Sequence, residues 1–114
     1  MNNERIILLT VTGEERDRGG FLTGESVEET EIFAGKKSVN RSEFYEAMRA
    51  GRKASVIFMV DPDDFNLSQR EIDRNGAMKR SRATKVIHEG IRYRIIRTYQ
   101  KAPHCLELTC EEVE

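Results

Sequence analysis

The chain has 114 residues and a formal net charge of -1, with 38% hydrophobic and 34% charged residues. That is the length of one domain, able to bury a core without metal or disulfides, and its near-neutral balance excludes a wholly basic nucleic-acid binder. No apolar run approaches the ~18–20 residues that span a bilayer, and the N-terminus lacks the charged and apolar regions of a signal peptide, so the expected setting is the cytoplasm.

In chain order, Ile6-Ile7-Leu8-Leu9-Thr10-Val11-Thr12 is apolar and β-branched and predicts a first strand. Residues 13–20, charged and bounded by glycines, predict a loop holding Arg16, Asp17 and Arg18. A Glu-rich second strand, roughly 26–37, carries only Val27, Ile32 and Phe33 as large apolar residues, which suits an edge or solvent-facing position. Residues 40–51 change period. Phe44, Ala47 and Met48 form an i, i+3, i+4 stripe, Asn40 or Ser42 can cap, and Gly51 can end the helix. Barely three turns long, this helix must lie on something apolar. Ser55-Val56-Ile57-Phe58-Met59-Val60 supplies it as a strand apolar on both faces, one for a barrel interior and one for the helix.

Asp61-Pro62 then ends that strand, and the 22 residues from Asp61 to Arg82 hold few apolar positions. They read as a long loop, with one helical turn allowed by the Ser68-x-x-Glu71 capping pattern. Its start is acidic, Asp61, Asp63 and Asp64. Its remainder is basic, Arg70, Arg74, Lys79, Arg80 and Arg82, running on to Lys85. The last third holds three strands. A short one spans 83–87, Ile91/Tyr93/Ile95 alternate with Arg92/Arg94, and Leu106, Leu108 and Cys110 alternate with Glu107 and Thr109. Arg92 or Arg94 opposite Glu107 would make a favourable cross-strand pair. The fold class is mainly β with one short helix: a small antiparallel barrel of five to six strands, the helix plugging one side, in a single domain over residues 1–114. Val56, Phe58, Val60, Ile91, Tyr93, Ile95, Leu106 and Leu108 are its expected core, closed by Phe44 and Met48.

Charge is segregated. Residues 1–35 hold 3 basic and 8 acidic side chains, residues 70–101 hold 10 and 3, and residues 102–114 hold 4 acidic ones alone. Either a partner of opposite charge or neighbouring acidic and basic strands accounts for this.

Sites of chemistry are sparse. Cys105 and Cys110 lie five apart, on opposite strand faces, and with His88 and His104, expected in turns, they show no zinc spacing. Asp61, Asp63 and Asp64 fail as a calcium loop, because Phe65, Asn66 and Ile72 occupy the fifth, sixth and twelfth positions; a solvated turn is expected. Glu28, Glu29 and Glu31 have no apolar surroundings to tune them as acids or bases. There is no P-loop, dinucleotide motif or nucleophile elbow, so no enzyme, metal or cofactor is expected. The basic run lacks the interleaved aromatics of a single-strand platform but leaves contact with duplex phosphates open.

Three stretches resemble the tailed-phage head-tail joining family, also described as head closure, head completion or stopper proteins. They are Arg41-Ser42-Glu43-Phe44-Tyr45-Glu46-Ala47 after a strand ending near Ala34, then His88-Glu89-Gly90-Ile91-Arg92-Tyr93-Arg94-Ile95, and finally Leu106-Glu107-Leu108-Thr109-Cys110-Glu111-Glu112-Val113. Members often carry a Trp in the second strand, where this chain has Ile32-Phe33-Ala34, and the insert between Asp61 and Arg82 is longer than usual. The resemblance implies a virion neck component made in the host cytoplasm. It would self-associate as a dodecameric ring below the portal and its adaptor, retain packaged DNA and offer the tail an attachment surface. It also implies channel-closing loops. The candidates are Asp61, Asp63, Asp64, Arg70, Arg74, Lys79, Arg80 and Arg82, or alternatively Arg16, Asp17 and Arg18. The competing readings are a small barrel binding nucleic acid directly through its basic loop, and a related neck or tail-terminator subunit.

Overall fold

The computed structural model describes residues 3–51, 53–74 and 76–113, with Arg74 as backbone only. Eight strands and two helices run in the order β1 (Glu4–Arg16), β2 (Leu22–Lys37), α1 (Arg41–Arg49), β3 (Val56–Val60), α2 (Pro62–Asn66), β4 (Arg70–Arg74), β5 (Ala77–Ser81), β6 (Lys85–His88), β7 (Ile91–Ala102) and β8 (Cys105–Glu112). Six of them close into an antiparallel barrel, β1-β2-β3-β8-β7-β6, with β6 returning to β1 at Ile7, Leu8 and Leu9. Closure removes most exposed edge, which is how so small a sheet protects its backbone.

Alternation fills the interior as the period-two pattern demands. Ile6, Leu8, Ile32, Ala34, Val56, Phe58, Val60, Val86, Tyr93, Leu108 and Cys110 form one buried cluster, with Ile95 and Leu106 packed against it. Phe58 is fully buried and meets the rings of Tyr93 and His88 edge-on, at 5.5 and 5.3 Å between centroids. Ile91, expected in this core, is 39% exposed. It pairs with His88 across the two-residue Glu89-Gly90 turn, whose φ angles of 51° and 79° are those of a tight hairpin, so it sits on the barrel rim.

The helix expected to plug the barrel does not do so. α1 has the foreseen Asn40 cap, on the Glu43 amide at 2.8 Å, but buries no residue; Met48 is 53% exposed and Phe44 half-buried. It lies over the outer face, where Glu43, Ala47 and Ala50 line a cleft with Ile96, Arg97 and Thr109. Ile57, whose register partner is Thr109, is buried but stands outside the interior cluster, as a strand with two apolar faces requires.

The plug is α2, which the sequence reading made part of the 61–82 loop. Asp61 accepts from the Asp63 amide at 2.8 Å, Pro62 opens the helix, and Asp63 and Asp64 fill its first turn. These are ordinary helix-start signals, and the three aspartates are therefore a helix N-terminus rather than a solvated turn. α2 puts Phe65, 5% exposed, into the core. The rest of the expected loop is a hairpin. β4 and β5 pair from Arg70↔Ser81 to Arg74↔Ala77, leaving Asn75-Gly76 between them, with Gly76 at φ 80°. Asn-Gly is the strongest two-residue hairpin signal. Glu71 lies in β4, so the Ser68-x-x-Glu71 capping turn is not formed; the Ser68 hydroxyl instead donates to the Phe65 carbonyl at 2.6 Å.

The first hairpin is also longer than expected. β1 continues to Arg16 and β2 begins at Leu22, so most of residues 13–20 are strand or tight turn. β6 pairs with β1 at Ile7, Leu8 and Leu9, and β3 with β2 at Gly35, Lys36 and Lys37, so the distal parts of β1 and β2 form a two-stranded arm beyond the ring. Both faces of the arm tip are wet, which is why no apolar alternation announced it.

Candidate functional site

The β4/β5 hairpin is rooted at both ends on two consecutive residues of β1. The buried Thr10 hydroxyl donates to the Ser68 carbonyl at 2.7 Å, and the Ser81 hydroxyl donates to the Val11 carbonyl at 2.6 Å. A third tie comes from β2: Arg70 Nε lies 3.3 Å from Glu28, the register partner of Thr10. Arg70 Nη1 also donates to the carbonyls of Leu67 and Gln69, at 2.6 and 2.9 Å. Arg70 is thus consumed in anchoring the hairpin.

Lys79, Arg80 and Arg82 differ. All three side chains are exposed, and among the described residues no ion pair holds them. Arg80 and Arg82 line clefts on the hairpin with Asn66, Gln69, Arg70 and Glu71 on one side and Met78 and Lys79 on the other. The side chain of Arg74 lies outside the described residues. Asp61 caps α2 and Asp63 and Asp64 fill its first turn, and among the described residues none of the three pairs with a loop cation. Of the eight candidates in this stretch, the fold leaves Lys79, Arg80 and Arg82 as a free cationic surface.

The alternative loop is largely self-satisfied. Asp17 accepts from the amides of Gly19 and Phe21, at 2.9 and 3.0 Å, and Arg16 bonds the Gly20 carbonyl and the Glu14 carboxylate, each at 3.0 Å. Arg18 is exposed, and Phe21 is 73% exposed.

Other polar groups complete the electrostatics. Glu107 is 7% exposed and faces Tyr99 rather than Arg92 or Arg94, because the β7/β8 register sets Tyr93 opposite Glu112 and Arg94 opposite Glu111. Its carboxylate lies 2.6 Å from Lys37, which holds that ammonium above the usual lysine range, and 3.9 Å from Lys101. Arg94 instead meets Glu111 at 3.3 Å. Arg97 pairs with Glu43 and ties α1 to β7. Burial pushes the Cys110 thiol up to about 12 and raises the Tyr93 phenol. Both cysteines are free, Cys110 in the core and Cys105 half-buried on the other face.

His88 is not a turn residue but the buried end of β6, 3% exposed, with Nε2 3.1 Å from Glu4. Glu4, His88 and Glu89 offer three ligand atoms within 4.8 Å of one another. Sequence reasoning missed this trio, because the β1–β6 closure that brings Glu4 to His88 spans 84 residues and leaves no local signal.

The sequence matches no protein-family model and no curated protein. No helix among the described residues is long and apolar enough to cross a membrane.

Proposed function

We propose that this chain is a structural neck protein of a tailed-phage virion. It forms a ring below the portal and its adaptor, helps retain the packaged DNA and offers the tail its attachment surface. The observation that carries this reading is a closed six-stranded barrel bearing a rooted, cation-rich hairpin. A closed barrel gives a stiff ring subunit, and a hairpin tied at both ends can hold a position in a channel. Its free cations, Lys79, Arg80 and Arg82, suit the phosphates of a DNA terminus. The order of elements agrees with the head-tail joining resemblance along most of the chain.

Disruption of the gene in its own genome tests this. Electron microscopy should show heads that package DNA but leak it or lack tails. Normal tailed, infectious particles would overturn the reading.

A second reading, direct binding of duplex DNA by the same hairpin, is favoured by the exposure of the same three cations, which no ion pair holds among the described residues. Appreciable affinity of the isolated protein for duplex DNA, with a steep salt slope, supports it.

A further inference from the structure

The seam that closes the barrel ends in a cluster of metal-ligating side chains. β1 and β6 pair only at Ile7, Leu8 and Leu9. Beyond Ile7↔Ile87 the ladder stops and side chains take over: Glu4 at the start of β1, His88 at the end of β6 and Glu89 in the turn that follows. One ligand atom from each lies within 4.8 Å of those of the other two.

The three residues are held there for separate reasons. The His88 side chain is 3% exposed, and its ring packs edge-on against Phe58. With the ring fixed in the core, Nε2 is aimed at the Glu4 carboxylate, 3.1 Å away. Glu4 is half-buried, so a small ion can reach the site from solvent. Glu89 has φ 51°, the only positive φ outside glycine among the described residues. Two-residue hairpin turns favour Asn, Asp or Gly at such a position. Here it is a glutamate, and its carboxylate stands with His88 and Glu4. Among the described residues neither glutamate has an ion pair apart from the one Glu4 makes with His88. Two carboxylates and an imidazole therefore stand together with no Lys or Arg of the described chain to neutralise them.

Zinc bonds of about 2.0–2.2 Å to imidazole nitrogen and carboxylate oxygen put tetrahedral ligand atoms about 3.3–3.5 Å apart. The His88–Glu4 distance is already close to that. The exposed Glu89 side chain needs a shift of about 1–1.5 Å, which a change of rotamer supplies. An imidazole among three ligands suits a zinc-type ion, whereas calcium and magnesium ask for a shell of oxygens.

We propose that Glu4, His88 and Glu89 bind one divalent transition-metal ion of the zinc type, with water in the fourth position. The ion takes the place of the proton between Nε2 and the Glu4 carboxylate, and that proton leaves to solvent. It ties β1 to the β6/β7 hairpin where the backbone ladder has ended. The site stands apart from the neck reading and does not depend on it.

The test is calorimetric titration with Zn2+ of the full chain, first stripped by a chelator and then dialysed. One Zn2+ should bind per chain, the melting temperature should rise with it, and a large excess of Mg2+ or Ca2+ should not compete. Glu4→Gln and Glu89→Gln keep the side-chain shape and lie outside the core, so both should fold and each should weaken binding by at least about tenfold. His104→Asn with Cys105→Ser removes the adjacent pair of donors at the β7/β8 turn and should change nothing. Co2+ in place of Zn2+ should give the visible bands of a tetrahedral site without a thiolate charge-transfer band. No binding, binding indifferent to both glutamine variants, or binding lost in the His104/Cys105 variant would each overturn the proposal. None of these outcomes bears on the neck reading, which particle imaging tests.

Discussion

Thr10 and Ser68, 58 residues apart, are both fully buried and joined by a 2.7 Å hydrogen bond from the Thr10 hydroxyl to the Ser68 carbonyl. This bond fixes where the chain leaves the barrel end for the β4/β5 hairpin. Thr10→Val keeps the shape but leaves a buried carbonyl unpaired, so it should cost about 1–3 kcal/mol in chemical denaturation. Thr12→Val, whose exposed hydroxyl bonds Ser26 at 3.3 Å, should change stability by less than about 0.5 kcal/mol. Equal effects at the two sites would show that the root is not where the hairpin is held.

The barrel plug is tested by comparing the two helices. Phe65→Ala and Phe58→Ala each remove a buried aromatic ring and should each cost about 3–5 kcal/mol. Met48→Ala, on the exposed face of α1, should cost less than about 0.5 kcal/mol. If Met48→Ala proves the costlier, α1 closes the barrel and α2 does not.

The Cys110 thiol gives a pH signature. Its folded value is about 12, against ~8.5 for a free cysteine, so folding disfavours the thiolate. Stability from this group is complete below the unfolded value and is lost as pH rises through the window toward the folded one. Denaturation midpoints should therefore fall above about pH 9, and Cys110→Ala should remove part of that slope. Under native conditions a thiol reagent should label Cys105 and spare Cys110. Two thiols labelled at the same rate would contradict the buried placement.

The hairpin cations are expected to be dispensable for folding. Lys79, Arg80 and Arg82 replaced together by Ser should leave the melting temperature within a few degrees, since exposed unpaired charges contribute little. The same variant should lose any affinity for duplex DNA and yield particles that package DNA but leak it. Normal infectivity would make the hairpin a passive insert. Arg70→Ser, by contrast, should destabilise the protein by about 1–3 kcal/mol, because it removes hydrogen bonds from a charged donor to two carbonyls.

Strands whose side chains alternate between core and solvent were legible in the sequence. β3 reads as apolar on both faces and has both faces buried, and β8 places Leu108 and Cys110 in the core with Glu107 and Thr109 on the other side. Elements away from the core were not. The arm from Gly13 to Leu22 and the β4/β5 hairpin have little apolar surface to bury, so periodicity is silent there. Their signals were instead local and chemical: Asn75-Gly76 for the hairpin, and Asp61-Pro62 followed by two aspartates for α2. The free cations Lys79, Arg80 and Arg82 were named from charge density alone. That Arg70 is an anchor depends on carbonyls and a carboxylate brought to it by the fold. Of the two accounts of the charge segregation, neighbouring strands have a place in the fold: acidic β8 lies beside basic β7, with Arg94 on Glu111.

The neck assignment is tested most directly by reconstructing, at side-chain resolution, the neck of virions produced from the genome that encodes this chain. The barrel should be found as a ring between the portal-adaptor assembly and the tail, with Lys79, Arg80 and Arg82 turned toward the DNA channel. Purified infectious virions that contain no copy of the chain would contradict the account.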